Sequence, residues 1–205
     1  MLYAVSGLAR AGVRIGWDGP RGAATVSCQA MQIDLNAVLK DAVGRHQAGD
    51  LAAAEAAYAR ILALAPGHAD ANHLLGLIHH QQGRHRQASD LIRKAISCDA
   101  KVSLYHANLG RVCRAAGDET SAVAACRDAV MLEPENAVLH SDLAAALVAQ
   151  GDFDAARSRC HLALERDPQM AEAHLNLGLA LQGLHGPASE EAEACFRRAL
   201  ASNAG

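Results

Sequence analysis

Eleven histidines and six cysteines are the residues of this chain best equipped for chemistry, and their spacing argues against most of it. His106, His140 and His174 recur every 34 residues, with His73 and the His79–His80 pair nearby. Imidazole is a frequent metal ligand. Equivalent positions on successive stacked helices, however, lie roughly 10 Å apart, and a zinc ion needs every donor within about 2.1 Å. The three histidines therefore cannot share one ion. They read as packing groups between neighbouring units, and no metal or cofactor is expected. The cysteines are Cys28, Cys98, Cys113, Cys126, Cys160 and Cys195, with no CxxC pair among them. Cys126 and Cys160 stand 34 residues apart in one equivalent position, as small buried hydrophobes would.

Carboxylates tell a similar story. Asp152 and Asp154 flank Phe153 at a helix start, and Glu190, Glu191 and Glu193 open the last helix. Acids there stabilise the positive end of the helix dipole. The chain has no Gly-rich phosphate loop, no GxSxG and no HExxH. No catalytic residue is expected, and the chain reads as a non-enzyme. A net charge of −3, with no basic stripe, disfavours nucleic acid. The longest uncharged run, 173–189, carries Asn176, three glycines and Pro187, so no membrane span is expected.

The same 34-residue interval governs the scaffold. Gly49, Gly83, Gly117 and Gly151 keep it, as do Leu75, Leu109, Leu143 and Leu177, and Ala54, Ala88, Ala122 and Ala156. Pro66, Pro134 and Pro168 lie on the same grid, with Ala100 in the remaining place. A fixed period of this size marks a solenoid of helix pairs. A composition of 51% hydrophobic but only 3% aromatic residues, rich in alanine and leucine, suits close-packed helices. In the copy 103–136, Leu109, Val112 and Cys113 share one face of a first helix, A. Gly117 ends that helix, Asp118 caps the next, B, and Ala122, Cys126, Ala129 and Val130 form its inner face. Gly110 and Ala122 should mark the closest approach of A and B, like Gly76 and Ala88.

Leu75-Gly76, Gly83, Ala88 and Ala95, then Leu109-Gly110, Gly117, Ala122, Ala129 and Pro134, and their counterparts Leu143-Ala144, Gly151, Ala156, Ala163 and Pro168, resemble tetratricopeptide repeats. The resemblance covers residue 35 to about 204 and implies an all-α, right-handed superhelical solenoid of about five repeats, near 35–68, 69–102, 103–136, 137–170 and 171–204. In the fifth copy, helix B is displaced by two residues, and 183–189 reads as a longer turn. Asp41 replaces the leucine in the first copy, as suits a wetter end repeat.

The strings His106-Ala107-Asn108-Leu109-Gly110 and His174-Leu175-Asn176-Leu177-Gly178 are similar to repeats in the arm of O-GlcNAc transferases and their bacterial relatives. In that family the asparagine lines the inner surface and holds the backbone of an extended peptide. The matching positions here are Leu74, Asn108, Asp142 and Asn176, an incomplete ladder. The resemblance implies a concave, A-helix-lined groove for a peptide or partner protein. Its candidate residues are Asn36, Lys40, His73, His80, Asn108, Arg111, Arg114, Asp142, Asn176 and Gln182. The expected function is an interaction adaptor; the alternative is a substrate-presenting arm of a glycosyltransferase or sulfotransferase, as a fragment or separate subunit. Leu39 and Val43, and then His73 and Leu77, stand where the family's chaperone-tail clamp needs cationic and amide side chains.

The first thirty residues are glycine-rich and aperiodic, so residues 1–30 read as a disordered leader or as lying upstream of a start at Met31, with 31–205 the repeat domain. Their apolar stretch is too short for a signal peptide, and the cysteine usage fits a reducing compartment, the cytoplasm. The last B helix carries apolar residues toward an open end, which points to self-association or limited solubility there, or to a chain that continues.

Overall fold

The computed structural model describes residues 34–202, so the expectations placed on the leader, on Met31 and on Cys28 lie outside the described residues. Ten α-helices follow one another: α1 Leu35–Gln47, α2 Leu51–Leu64, α3 Ala69–Gln81, α4 His85–Cys98, α5 Ser103–Ala115, α6 Glu119–Leu132, α7 Ala137–Gln150, α8 Phe153–Arg166, α9 Ala171–His185 and α10 Glu190–Ser202. Each odd helix packs against the even helix that follows it, and each even helix against the next odd one. From α3 onward successive odd (A) helices also touch one another, at α3–α5, α5–α7 and α7–α9. That extra contact puts the A helices on the inner side of the curve and the B helices outside. The chain is an all-α superhelical solenoid.

The turn inside each of the first four pairs is written by two residues. In the third, Gly117 adopts φ +76°. Its N–H donates to Arg114 O at 3.1 Å, and Asp118 N–H donates to Cys113 O at 2.9 Å. This pairing satisfies two carbonyls that a bare helix end would leave open. The Asp118 carboxylate then accepts from Ser121 N–H at 3.1 Å and starts α6. Asp50 and Asp152 cap α2 and α8 in the same way. Arg84 stands in that place before α4 and makes no side-chain cap. It reaches back instead to Glu55 Oε1 on α2, at 2.8 Å.

In the fifth pair the expected turn over 183–189 is shorter than the sequence suggested. α9 continues through Gly183 to His185, and the chain turns at Gly186, φ +87°, before α10. Gly183 stays helical because it lies under the Phe153 ring. A Cβ there would come within 2.6 Å of that ring.

The A–B crossings pack by complementary size. Tyr58, Ile92, Cys126 and Cys160 recur on the B helices, all fully buried or nearly so, and Phe196 takes that place on α10. They face Ala42, Gly76, Gly110, Ala144 and Gly178 on the A helices. A Cβ on Gly76 would sit 2.8 Å from Ile92 Cγ1, and one on Gly178 would sit 2.4 Å from Phe196 Cε1. The helix-weakening glycines, each costing about 1 kcal/mol against alanine, are offset by burial of the side chain opposite, worth roughly 1.5–3 kcal/mol for an isoleucine or phenylalanine.

Candidate functional site

The repeated histidines hold the repeats together. Nε2 of His106 lies 3.0 Å from Ala100 O, that of His140 2.8 Å from Pro134 O, and that of His174 2.9 Å from Pro168 O. A carbonyl only accepts, so each ring is the Nε2–H tautomer donating to the turn before its own helix. Asn72 does the same work in the second copy, donating to Pro66 O at 2.9 Å and His68 O at 3.0 Å. Among the described residues no three histidine, cysteine or carboxylate side chains converge on a point that could hold a metal.

The cysteines on the B helices are equally structural. Cys126 is 2% exposed and Cys160 fully buried, and burial pushes both thiols up to about 12. A thiol so protonated is neither a nucleophile nor a ready metal ligand. Cys98 is exposed and unpaired with another cysteine.

The polar residues of the inner helices bond mostly to each other. The Asn108 amide nitrogen lies 2.8 Å from His73 Nε2, and the His73 ring is tilted against Tyr105 at 4.7 Å between centroids. The Tyr105 hydroxyl in turn donates to the Asp70 carboxylate. Burial lowers His73 to about 4, which keeps its ring neutral and its Nε2 an acceptor. Asn176 donates to Ser141 O at 3.1 Å and to Ser141 Oγ at 3.2 Å. Arg111 grips Asp142 with two bonds, Nε to Oδ1 at 2.9 Å and NH2 to Oδ2 at 2.7 Å. Burial pushes the Asp142 carboxyl up while Arg111 pulls it down, and the same pair tightens the hold of Arg111 on its proton. A guanidinium keeps its charge at any ordinary pH, so the ionised pair is the state that matters at neutrality.

The row Leu74, Asn108, Asp142, Asn176 thus points back at the preceding A helix. Asn108 and Asn176, which the resemblance assigns to a guest, use their amides on His73 and Ser141. Of the other candidates, Asn36, Lys40 and Arg114 are exposed, and Gln182 is half-buried. His80 is half-buried with its Nδ1 at 3.0 Å from that of His85. Tyr105, which the sequence did not single out, and Ser141, which it placed on the inner face as a guest contact, complete these cross-repeat bonds. Their signal was the 35-residue separation of His73 from Asn108 and of Ser141 from Asn176, just over one period.

What remains open on the inner side is a different stripe. Three rows lie seven and three residues apart along each A helix, hence on one face. The first is Asp70, Leu104, Val138 and Glu172. The second is Leu77, Arg111, Ala145 and Leu179, and the third His80, Arg114, Val148 and Gln182. None of these residues is buried. At the middle of the solenoid Leu104, Val138, Ala145 and Val148 give an apolar floor, edged by Arg111 and Arg114.

Comparison with known proteins agrees with this architecture. The tetratricopeptide repeat family model matches residues 45–111 and 114–177. No curated protein matches the chain. Among solved structures, MamA superposes with a TM-score of 0.69 at 21% identity, covering 80% of this chain and 94% of MamA. YrrB, titled a TPR protein with an unusual peptide-binding site, gives a TM-score of 0.69 at 22% identity, covering 83% of this chain and 87% of YrrB. A mutant O-GlcNAc transferase of Thermobaculum terrenum gives 0.61 at 32% identity, over 71% of this chain and 28% of that one. Likeness at 21–22% identity speaks to fold alone.

Proposed function

The chain belongs to the tetratricopeptide repeat family, and from that premise we propose that it is a non-enzymatic adaptor holding a peptide or partner protein in the groove of its A helices. One observation carries this reading: Leu104, Val138, Ala145, Arg114 and Val148 on the inner side are not buried and make no repeat-to-repeat hydrogen bond, while Asn108, Asp142 and Asn176 beside them bond to the preceding A helix. The guest that suits this stripe presents apolar side chains to Leu104, Val138 and Val148 and an acidic group to Arg114. The cross-repeat bonds hold the floor rigid, so little ordering cost falls on the repeat side when a guest binds. The free thiols support a reducing compartment, the cytoplasm.

A second reading, the substrate-presenting arm of a glycosyltransferase, is favoured by the 32% identity with the Thermobaculum terrenum enzyme. The same groove serves there, feeding a peptide to a catalytic partner.

Capture from source lysate tests the groove. Leu104→Asp with Arg114→Glu should abolish recovery of the partner bound by the wild type. Met131→Asp, on the outer helix α6 where Met131 is 79% exposed, should leave recovery unchanged. Equal capture by the groove variant would refute the proposal. Recovery of a transferase catalytic subunit would decide for the second reading.

A further inference from the structure

Leu175 and Leu200 are exposed by 46% and 71%, and the repeat itself shows what each lacks. The counterparts of Leu175 in the second to fourth copies are His73, Ala107 and Ser141, no more than 3% exposed, because the next A helix covers them. The counterparts of Leu200 are Leu62, Ile96, Val130 and Leu164, each buried or half-buried. The counterpart of Glu193 is Glu55, which receives Arg84 at 2.8 Å and His79 at 3.4 Å from the following pair. The end face of α9 and α10 is therefore a ready-made seat for a helix that brings apolar side chains and a cation.

We propose that this seat is filled by α10 of a second copy of this chain, antiparallel to the first α10 across a two-fold axis. Two observations select that occupant. The opposite end of the solenoid does not fit: where the inner copies bury leucine and then isoleucine, valine or alanine, α1 exposes Asp41 and Gly44, and Asp41 is bonded to Arg45 at 2.7 Å. Head-to-tail stacking would bury that ion pair against leucines, at the cost of desolvating it. α10, in contrast, is polarised, with Glu190, Glu191 and Glu193 in its first half and Arg197 and Arg198 in its second. An antiparallel mate sets acid against base twice, once at each end of the symmetric contact, whereas a parallel mate opposes like charges. Among the described residues Glu193 pairs with its own Arg197, and both are largely exposed, so exchanging that bond for one across the interface costs little.

Sedimentation of the full chain decides the matter. The wild type should form a dimer that dissociates on dilution and in high salt, and Leu200→Asn should weaken it by about tenfold or more. Arg197→Glu with Arg198→Glu makes α10 wholly acidic, and Glu190→Arg with Glu191→Arg and Glu193→Arg makes it wholly basic. Each variant alone should be a monomer with wild-type helicity by circular dichroism, and an equimolar mixture should recover the dimer. A wild type that stays monomeric at every concentration, a ladder of higher oligomers, or dimers that persist in Leu200→Asn and in both charge variants would each overturn the proposal. If either charge variant loses helicity, Leu200→Asn and the salt dependence carry the decision.

Discussion

Replacing Gly110 by leucine should cost about 3 kcal/mol and shift the urea midpoint accordingly, because the A–B crossing of the third pair has no room for a side chain. A Cβ at Gly110 would stand 2.3 Å from Cys126 Sγ, 3.2 Å from the Ala122 carbonyl oxygen and 3.5 Å from Cys126 N. The sulfur sits on a side chain only 2% exposed, and the two backbone atoms belong to α6, so relief requires the helices to part. Gly44 is the internal control. It too lies inside an A helix, but nothing comes within 4 Å of a Cβ placed there. Gly44→Ala should raise stability by roughly 0.5–1 kcal/mol through helix propensity alone. Paired urea titrations check both signs, and a tolerated Gly110→Leu would show that the helices do not meet as described.

Acid should unfold this protein early, and His73 should carry about 3 kcal/mol of that loss. Its ring is 3% exposed, held between Tyr105 and the Asn108 amide nitrogen, and burial takes it from 6.5 to about 4. A protonated Nε2 would face an amide nitrogen it cannot bond. Because the folded state favours the neutral ring, its contribution is complete above 6.5 and drains away as pH falls toward about 4. His46, His79 and His80 are also lowered, burial being the first cause in each, and they add to the slope in the same direction. His73→Phe removes one titration and no other. Its stability should therefore fall less than that of the wild type between neutrality and about pH 4. Parallel slopes for the two proteins would mean that His73 is hydrated in the folded state.

The fold was legible because a solenoid repeats each residue's surroundings. Gly117 and Asp118 predict a helix end and a cap by residue type alone, and three further copies repeat the statement with one exception, at Arg84. The small residues at the A–B crossing were legible for the same reason. The fifth turn was not, since the packing of Gly183 under Phe153 joins residues 30 positions apart and carries no periodic mark.

The site was legible as a surface but not as a set of contacts. Periodicity puts Asn108 and Asn176 on the inner helices, yet it does not say how near the preceding helix lies. At the observed spacing His73 and Ser141 come within hydrogen-bond reach of those amides, and Asp142 within reach of Arg111. A row that lined a guest site by resemblance is therefore occupied by the solenoid itself. Leu104, Val138, Ala145, Arg114 and Val148 beside it are the side chains left open.

Photo-cross-linking the captured partner from single positions measures this most directly. Benzophenone side chains at Leu104 and Val148 should give strong adducts with it, and the same group at Met131 or Arg127 on α6 should give none. Adducts that form as readily from α6, or that fail at both inner positions while the partner stays bound, would contradict a guest seated on the A helices.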